Sequence, residues 1–290
     1  MNEDELPQPY PELAGSYLPI LLANKQMIAW EYLRRNQHYR HEYYVAMAVM
    51  KAARHCENYL AIPGSFEEEE KKELCEELRR LPPNAADIIE RGPSLWGLVE
   101  YESPLLSCEN AVVHWLDNAS AINAEVTKRP LRTRGKRLDP MTCGGSVYCT
   151  ISDNGIYMTI RHSFTQVTIR SKTAPFPRPH ENLKLNLTPS RHLSEHAHDI
   201  FDRPARDGRH FFISPSMLRA RKHVKILRVL DGHLRNYKPR AIAEIIYGRQ
   251  RVKEEWRAGD AMRKDIENCI EVGLDRVNGG YRKLLKSRSR

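Results

Sequence analysis

The chain has no C-x-x-C pair, no run of 18 apolar residues and no G-x-x-x-x-G-K-[ST] phosphate loop. Its N-terminus, "MNEDELPQPYPEL", is acidic and proline-rich where a secretory leader has a basic segment and an apolar core. Each absence removes a class. The six cysteines, Cys56, Cys75, Cys108, Cys143, Cys149 and Cys269, are scattered as reduced thiols would be, which excludes a disulfide scaffold. Without a long apolar run no transmembrane helix is expected, so the protein is read as soluble and cytoplasmic, with no membrane partner.

Catalytic signatures are equally scarce, and no enzyme and no cofactor are expected. The segment "RHLSEHAHDIFD" gathers His192, His196, His198, Asp199 and Asp202 near His180 and His210, but Leu193 stands where a zincin carries glutamate. Cys143-Gly144-Gly145 lacks the strand-to-helix elbow of a nucleophile motif. No metal site is expected from either.

What is present is charge, unevenly placed. Residues 1–100 carry 11 Lys/Arg against 17 Asp/Glu, residues 101–200 carry 12 against 9, and residues 201–290 carry 23 against 11. An excess of +12 over the last ninety residues is the footprint of phosphate neutralisation, so duplex nucleic acid is the expected partner of that end.

Periodicity divides the chain. Residues 23–59 are helical in pattern with an interruption near Gln37, and "QMIAWEYLRRN" places Ile28, Tyr32 and Leu33 beside Trp30 and Ala29. The aromatics of "YLRRNQHYRHEYY" fit a core or subunit contact better than a base-stacking platform. "SFEEEEKKELCEELRRL" begins with a capping box, Ser65 with Glu68, and ends at Pro82-Pro83. The period then changes to two: "SVYCTISDNGIYMTIRH" reads as a β-hairpin, "QVTIRS" and "NLKLNLT" continue the alternation, and "RHFFIS" is a candidate edge strand.

Helical spacing returns at Ser214-Pro215 with a stripe of Met217, Val224, Leu227, Leu230 and Leu234. A short helix "PRAIAEIIY", packing Ile242, Ile245 and Ile246, ends at Gly248. "RVKEEW" follows, and Asp260 is placed to cap a last long helix that "NGGY" closes. The fold class expected is α+β: a helical N-terminal domain (1–126) for oligomerisation or partner contact, a basic linker (127–140), a central antiparallel β-meander (141–213) and a helix-turn-helix-like C-terminal domain (214–290). A chain of this length accommodates a separate core for each helical domain.

The corner around Gly248 departs from a tight helix-turn-helix, because Ala243 precedes the glycine by five residues rather than four. On the last helix Glu267, Glu271 and Asp275 would repel a phosphate backbone. DNA contact is therefore expected at that helix's N-terminal end, through Arg257, Arg263 and Lys264, where free backbone N–H groups favour anions. Arg249, Arg251 and Lys253 before it, and Arg282, Lys283 and Lys286 after it, are expected to flank the duplex as phosphate contacts.

The run "HVKILRVLDGHLRNYKPRAIAEIIYG", then "EEWRAGDAMRKDI", then "VNGGYRKLL", resembles the RovC-type DNA-binding domain of bacterial transcription regulators. Upstream, "AWEYLRRNQHYRHEY", "WGLVEYESP" and "AVVHWLD" resemble the helical N-terminal domain of the same regulators. The resemblance implies sequence-specific control of transcription, as activators of type VI secretion genes linked to virulence, with DNA contact through the C-terminal domain. One module of this size buries a modest DNA interface, so a dimer-based homo-oligomer is expected; the resemblance implies that it can extend to a hexamer, and other transcription machinery is a further candidate partner. Small relatives act by binding other regulators, so an antiactivator that binds a transcription factor instead of DNA is the alternative.

Overall fold

The computed structural model describes residues 17–61, 68–116, 122–127, 146–152, 155–162, 165–171, 182–186, 215–256 and 261–286. At the N-terminal end α1 (Leu18–Leu22) leads into α2 (Lys25–Leu33), whose N-cap Asn24 accepts a 2.9 Å bond from the Met27 amide. Asn36 does the same for α3 (Gln37–Ala61), accepting from the Tyr39 amide at 3.0 Å. The helices α4 (Glu68–Arg80) and α5 (Ala85–Arg91) follow, and a 3₁₀ turn, Pro93–Trp96, opens a loop through residue 116 that is pinned by an antiparallel bridge between Leu98 and Trp115.

The strand period appears as β1 (Ile122–Thr127), β2 (Ser146–Ser152), β3 (Gly155–His162), β4 (Thr165–Ser171) and β5 (Asn182–Asn186), in the sheet order β2-β3-β4-β1-β5. The expected hairpin is β2–β3, in register from Ser146 opposite Arg161 to Ser152 opposite Gly155. Two features correct the expected meander. Residues 122–127, assigned above to the helical domain and linker, form a strand, and β1 runs parallel to β4 while β5 returns antiparallel to β1. The physical reason is the spacing of Ile122, Ala124 and Val126, a weak alternation whose choice of neighbour depends on residues over forty positions away. The candidate strand "RHFFIS", the linker 128–140 and the caps Ser65, Ser214 and Asp260 lie outside the described residues.

The C-terminal helices are α6 (Pro215–Leu234), α7 (Pro239–Tyr247), α8 (Arg249–Glu255), α9 (Ala261–Asp275) and α10 (Arg282–Leu285). Between α9 and α10 a π-turn, Arg276–Gly280, carries Gly279 at φ 115°. "NGGY" thus ends α9 as expected, and a further short helix follows it. Gly273 is a contact point of α9 with α6: a Cβ there would sit 3.2 Å from Leu230 Cβ, a tight contact that would push the Leu230 side chain by a few tenths of an ångström.

The separate cores expected for the two helical regions are one core. Trp30, Tyr32, Leu33 and Tyr39 from α2 and α3 join Leu98 and Trp115 from the loop, and Leu227, Leu230, Ile242, Val252, Ile266 and Tyr281 from the C-terminal helices. Helix α2 is accordingly buried all round, residues 26 to 33 without exception, and not only on one face. Tyr32 and Tyr39 are core residues, which agrees with the preference for packing over base stacking.

Two carboxylates and a guanidinium fasten this core. Arg35 forks onto Asp231 of α6, Nε to Oδ1 at 2.7 Å and Nη2 to Oδ2 at 2.9 Å, and its Nη1 donates to Glu31 Oε2 at 2.6 Å. Glu31 also accepts from Arg34 Nε at 2.8 Å and from the Cys108 amide at 2.7 Å, and the Tyr17 hydroxyl donates to Asp231 at 2.6 Å. Burial alone would raise the Glu31 carboxyl, but Arg34 and Arg35 more than offset that and hold it down at about 2. The Arg35 guanidinium is likewise held charged by Asp231 and Glu31 against its burial.

Around this fork the seam is polar at its rim. Asn36 Nδ2 donates to the Val277 carbonyl at 2.9 Å, the Tyr281 hydroxyl to the Trp96 carbonyl at 2.8 Å, and Arg282 to the Leu95 carbonyl. The Tyr32 hydroxyl lies 3.0 Å from His223 Nδ1, and the Arg276 guanidinium stands 5.5 Å from the centre of the Tyr32 ring.

Arg35→Met should lower stability by about 3–5 kcal/mol, because it leaves Glu31 and Asp231 buried without their shared cation. The urea midpoint measures it, and a loss below about 1 kcal/mol, the range of exposed pairs, would show the fork to be dispensable. A second expectation concerns pH. Burial, with Arg276 and Lys222, lowers the His223 imidazole from 6.5 to about 4. Between those values the unfolded chain binds a proton that the folded chain does not, so stability falls as pH drops through this window. His223→Gln should flatten the curve of stability against pH between about 6.5 and 4; an unaltered slope would remove His223 from the seam's acid response.

Candidate nucleic-acid interface

The corner expected around Gly248 is built as follows. Lys238 is extended at ψ 144°, as a residue before proline should be, and Pro239 begins α7. Ile242 and Ala243 are buried, whereas Ile245, expected in the core, lies at the flank of that face and is exposed. Gly248 takes φ 90°, a value that side-chain-bearing residues rarely adopt, and so ends α7 and starts α8 without an intervening loop. Val252 anchors α8 in the core, and the Trp256 amide closes it on the Val252 carbonyl at 2.9 Å. Met262, Ile266, Cys269 and Gly273 seat α9.

Three side chains from three helices tie this corner together. Asp265, in the first turns of α9, accepts from both Lys225 of α6 and Tyr247 of α7. Lys225 Nζ stands 5.3 Å and the Arg251 guanidinium 5.7 Å from the centre of the Tyr247 ring, so α8 joins the same cluster. Burial would raise the Asp265 carboxyl and lower the Lys225 ammonium; their mutual hydrogen bond, with Tyr247, reverses both shifts. The cluster was not foreseen from the sequence, where Lys225 is one of five Lys/Arg on α6, with Arg219, Arg221, Lys222 and Arg228. Nothing in the spacing of residues 225, 247 and 265 signals that they meet.

The nine cations expected to contact DNA divide by what they touch. Arg251 pairs with Glu255 at 3.1 Å and Arg263 with Glu267 at 2.8 Å, each one turn along its own helix, and Lys283 reaches Asp275 at 3.3 Å. Arg282 is spent on the Leu95 carbonyl and the Tyr281 ring, within the seam between the two ends of the chain. Arg249, Lys253, Lys264 and Lys286 are exposed and make no ion pair among the described residues. Arg249 and Lys253 stand one turn apart on α8, and Lys264 adjoins Asp265 in the tie between α9, α6 and α7. Arg257 lies outside the described residues.

The corner thus carries exposed cations, while three α9 carboxylates are engaged: Glu267 by Arg263 of the same helix, Asp265 by Lys225 and Tyr247, and Asp275 by Lys283. The arrangement offers point charges and exposed arginine, the chemistry of phosphate contact, and among the described residues no group of three or more His, Cys, Asp or Glu is placed to hold a metal. The histidines of the 192–210 segment and Cys143 lie outside the described residues. The five described cysteines are free, and no helix among the described residues is long and apolar enough to cross a membrane.

Comparison with known families bears on these same segments. Residues 180–286 match a family model described as a type VI secretion transcription-factor DNA-binding domain, of the RovC kind, and residues 14–60 match a proteobacterial transcriptional regulator-like domain. No curated protein matches the chain. The first segment contains α6 to α10 and the second α1, α2 and nearly all of α3, so the two matched segments are the ones whose helices share the core.

Proposed function

We propose that the protein is a transcriptional regulator that binds promoter duplexes, as an activator of type VI secretion genes, through α8 and the first turn of α9. The observation that carries this reading is that Arg249, Lys253, Lys264 and Lys286 are exposed and make no ion pair among the described residues, within the segment that matches a DNA-binding domain. Arg257, between α8 and α9 in the sequence, is assigned to the same contact by its position in the chain. Arg251 and Arg263 contribute less, because a carboxylate one turn away already compensates each of them.

The module acts in the cytoplasm, on DNA, as a dimer-based homo-oligomer, since a corner of two short helices covers too little duplex for tight binding by one copy. No catalysis, metal or cofactor is invoked. The tie at Asp265 supports the reading by holding α9 rigidly against α6 and α7, so that Lys264 is presented at a fixed position.

The test is a titration of promoter fragments with the full-length protein at several salt concentrations. Each phosphate contact contributes about 0.9 to the slope of log affinity against log salt, so Arg249→Ala with Lys253→Ala and Lys264→Ala should lower it by about 2.7. Arg263→Ala, whose charge is paired, should change the slope by less than one contact. An unchanged slope in the triple variant overturns the interface; absence of any duplex binding by the wild type, with capture of another transcription factor, overturns the DNA-binding reading itself.

A further inference from the structure

The β2 strand, S-V-Y-C-T-I-S from Ser146 to Ser152, is an edge of the sheet and pairs only with β3 among the described residues. It is an unusual edge. It carries no charge, no proline and no glycine, the devices by which natural edge strands discourage pairing with another chain. Its apolar side chains are presented outward: Ile151 is 76% exposed, and Cys149 is exposed as well. On the same face its partner across the hairpin, Ile156, is 3% exposed, so it is the outer position of β2 that leaves Ile151 uncovered.

The strand is also nearly symmetric about its central residue. Turned end for end on Cys149, Ser146 meets Ser152, Val147 meets Ile151, Tyr148 meets Thr150 and Cys149 meets itself. Because side chains alternate between faces, this register sets Val147, Cys149 and Ile151 of one copy beside Ile151, Cys149 and Val147 of the other, on one face. The polar residues Tyr148 and Thr150 share the second face. A two-fold pairing therefore matches residue class to residue class along the whole strand.

Charge is complementary across the same axis. On the polar face the Arg161 guanidinium lies 5.9 Å from the centre of the Tyr148 ring; its Nη2 donates to the Ala111 carbonyl, and its Nε is buried without a hydrogen-bond partner among the described residues. Thr150 donates to Glu100 at 2.5 Å, and the Glu100 side chain is 48% exposed. Pairing Tyr148 with Thr150 of a second copy brings each Arg161 toward the other copy's Glu100, twice by symmetry.

We propose that β2 is the contact surface for a second copy of this chain, which adds its own β2 antiparallel and centred on Cys149 to make a continuous sheet across a two-fold axis. The pairing rests on the homo-oligomer named above and specifies its interface. In this register the two Cys149 residues face one another with Cα atoms about 4.5–5.5 Å apart, within the span a disulfide bridges, so a thiol oxidant reads the geometry directly.

The experiment uses the full-length protein. Its mass is measured by sedimentation over a range of concentrations, for the wild type and Ile151→Lys, and both proteins, with Cys149→Ser, are treated with diamide and run without reductant. The expected results are a dimer-based mass for the wild type, dissociation at least tenfold weaker-binding in Ile151→Lys, and a covalent dimer that Cys149→Ser abolishes. An oligomer that Ile151→Lys leaves intact and that diamide does not link through Cys149 places the interface elsewhere, overturning this proposal while the oligomer stands. A wild-type monomer at all concentrations overturns both. Since Ile151 is exposed, the lysine variant should keep the wild-type thermal transition; if it does not, the oxidation result decides alone.

Discussion

Everything at the helical end of the molecule depends on one guanidinium. Arg35, just past the end of α2, is 6% exposed and is the cation shared by two buried carboxylates, Glu31 of α2 and Asp231 of α6. Desolvating three charges is costly, and the geometry that offsets the cost is a two-pronged bond with no slack. A lysine at this position could supply the charge but not the fork. The burial of Trp30 and Tyr32, the seat of α6 and the angle at which α7 to α9 continue are all built around that fixed point.

The consequence is a division of labour among basic residues that net charge conceals. Of the 23 Lys/Arg in residues 201–290, Arg282 serves the seam, Lys225 ties the corner, and Arg251, Arg263 and Lys283 are matched by nearby carboxylates. Of the nine cations expected to contact DNA, those without an ion pair among the described residues are Arg249 and Lys253 on α8, Lys264 in the first turn of α9 and Lys286 after α10. The protein thus joins a segment resembling a DNA-binding domain to one resembling a regulator domain through a shared interior, so a disturbance in α2 is felt by α6 directly, through side chains in contact.

What was legible in the sequence was local. Helical spacing located α2, α3, α4 and α6 to α9, alternation located the β2–β3 hairpin, and proline and glycine marked the α7 and α8 boundaries, because each of those signals lies within a few residues of the element it predicts. The pairing of Arg251 with Glu255 is of the same kind. Hidden were the contacts that join distant segments. The spacing of "YLRRN" puts Tyr32 and Leu33 on an apolar face, but nothing near them in the sequence shows that Arg35 and Asn36 are buried too, since their partners Asp231 and Val277 come from the far end of the chain. β1 escaped notice for that reason too: its neighbour β4 lies beyond the hairpin, and parallel pairing leaves no turn in the sequence to announce it.

The fork between Arg35 and Asp231 spans 196 positions. A ribosome adding about 5–20 residues per second needs roughly 10–40 s to travel that distance, during which Trp30, Tyr32 and Leu33 have emerged and their cover has not yet been made. The nascent N-terminal helices therefore present an aromatic, ion-bearing surface to the cell for as long as synthesis of the central sheet takes. Such a chain leans on holding chaperones during translation, and a pause near the start of α6 lengthens the interval in which it can aggregate.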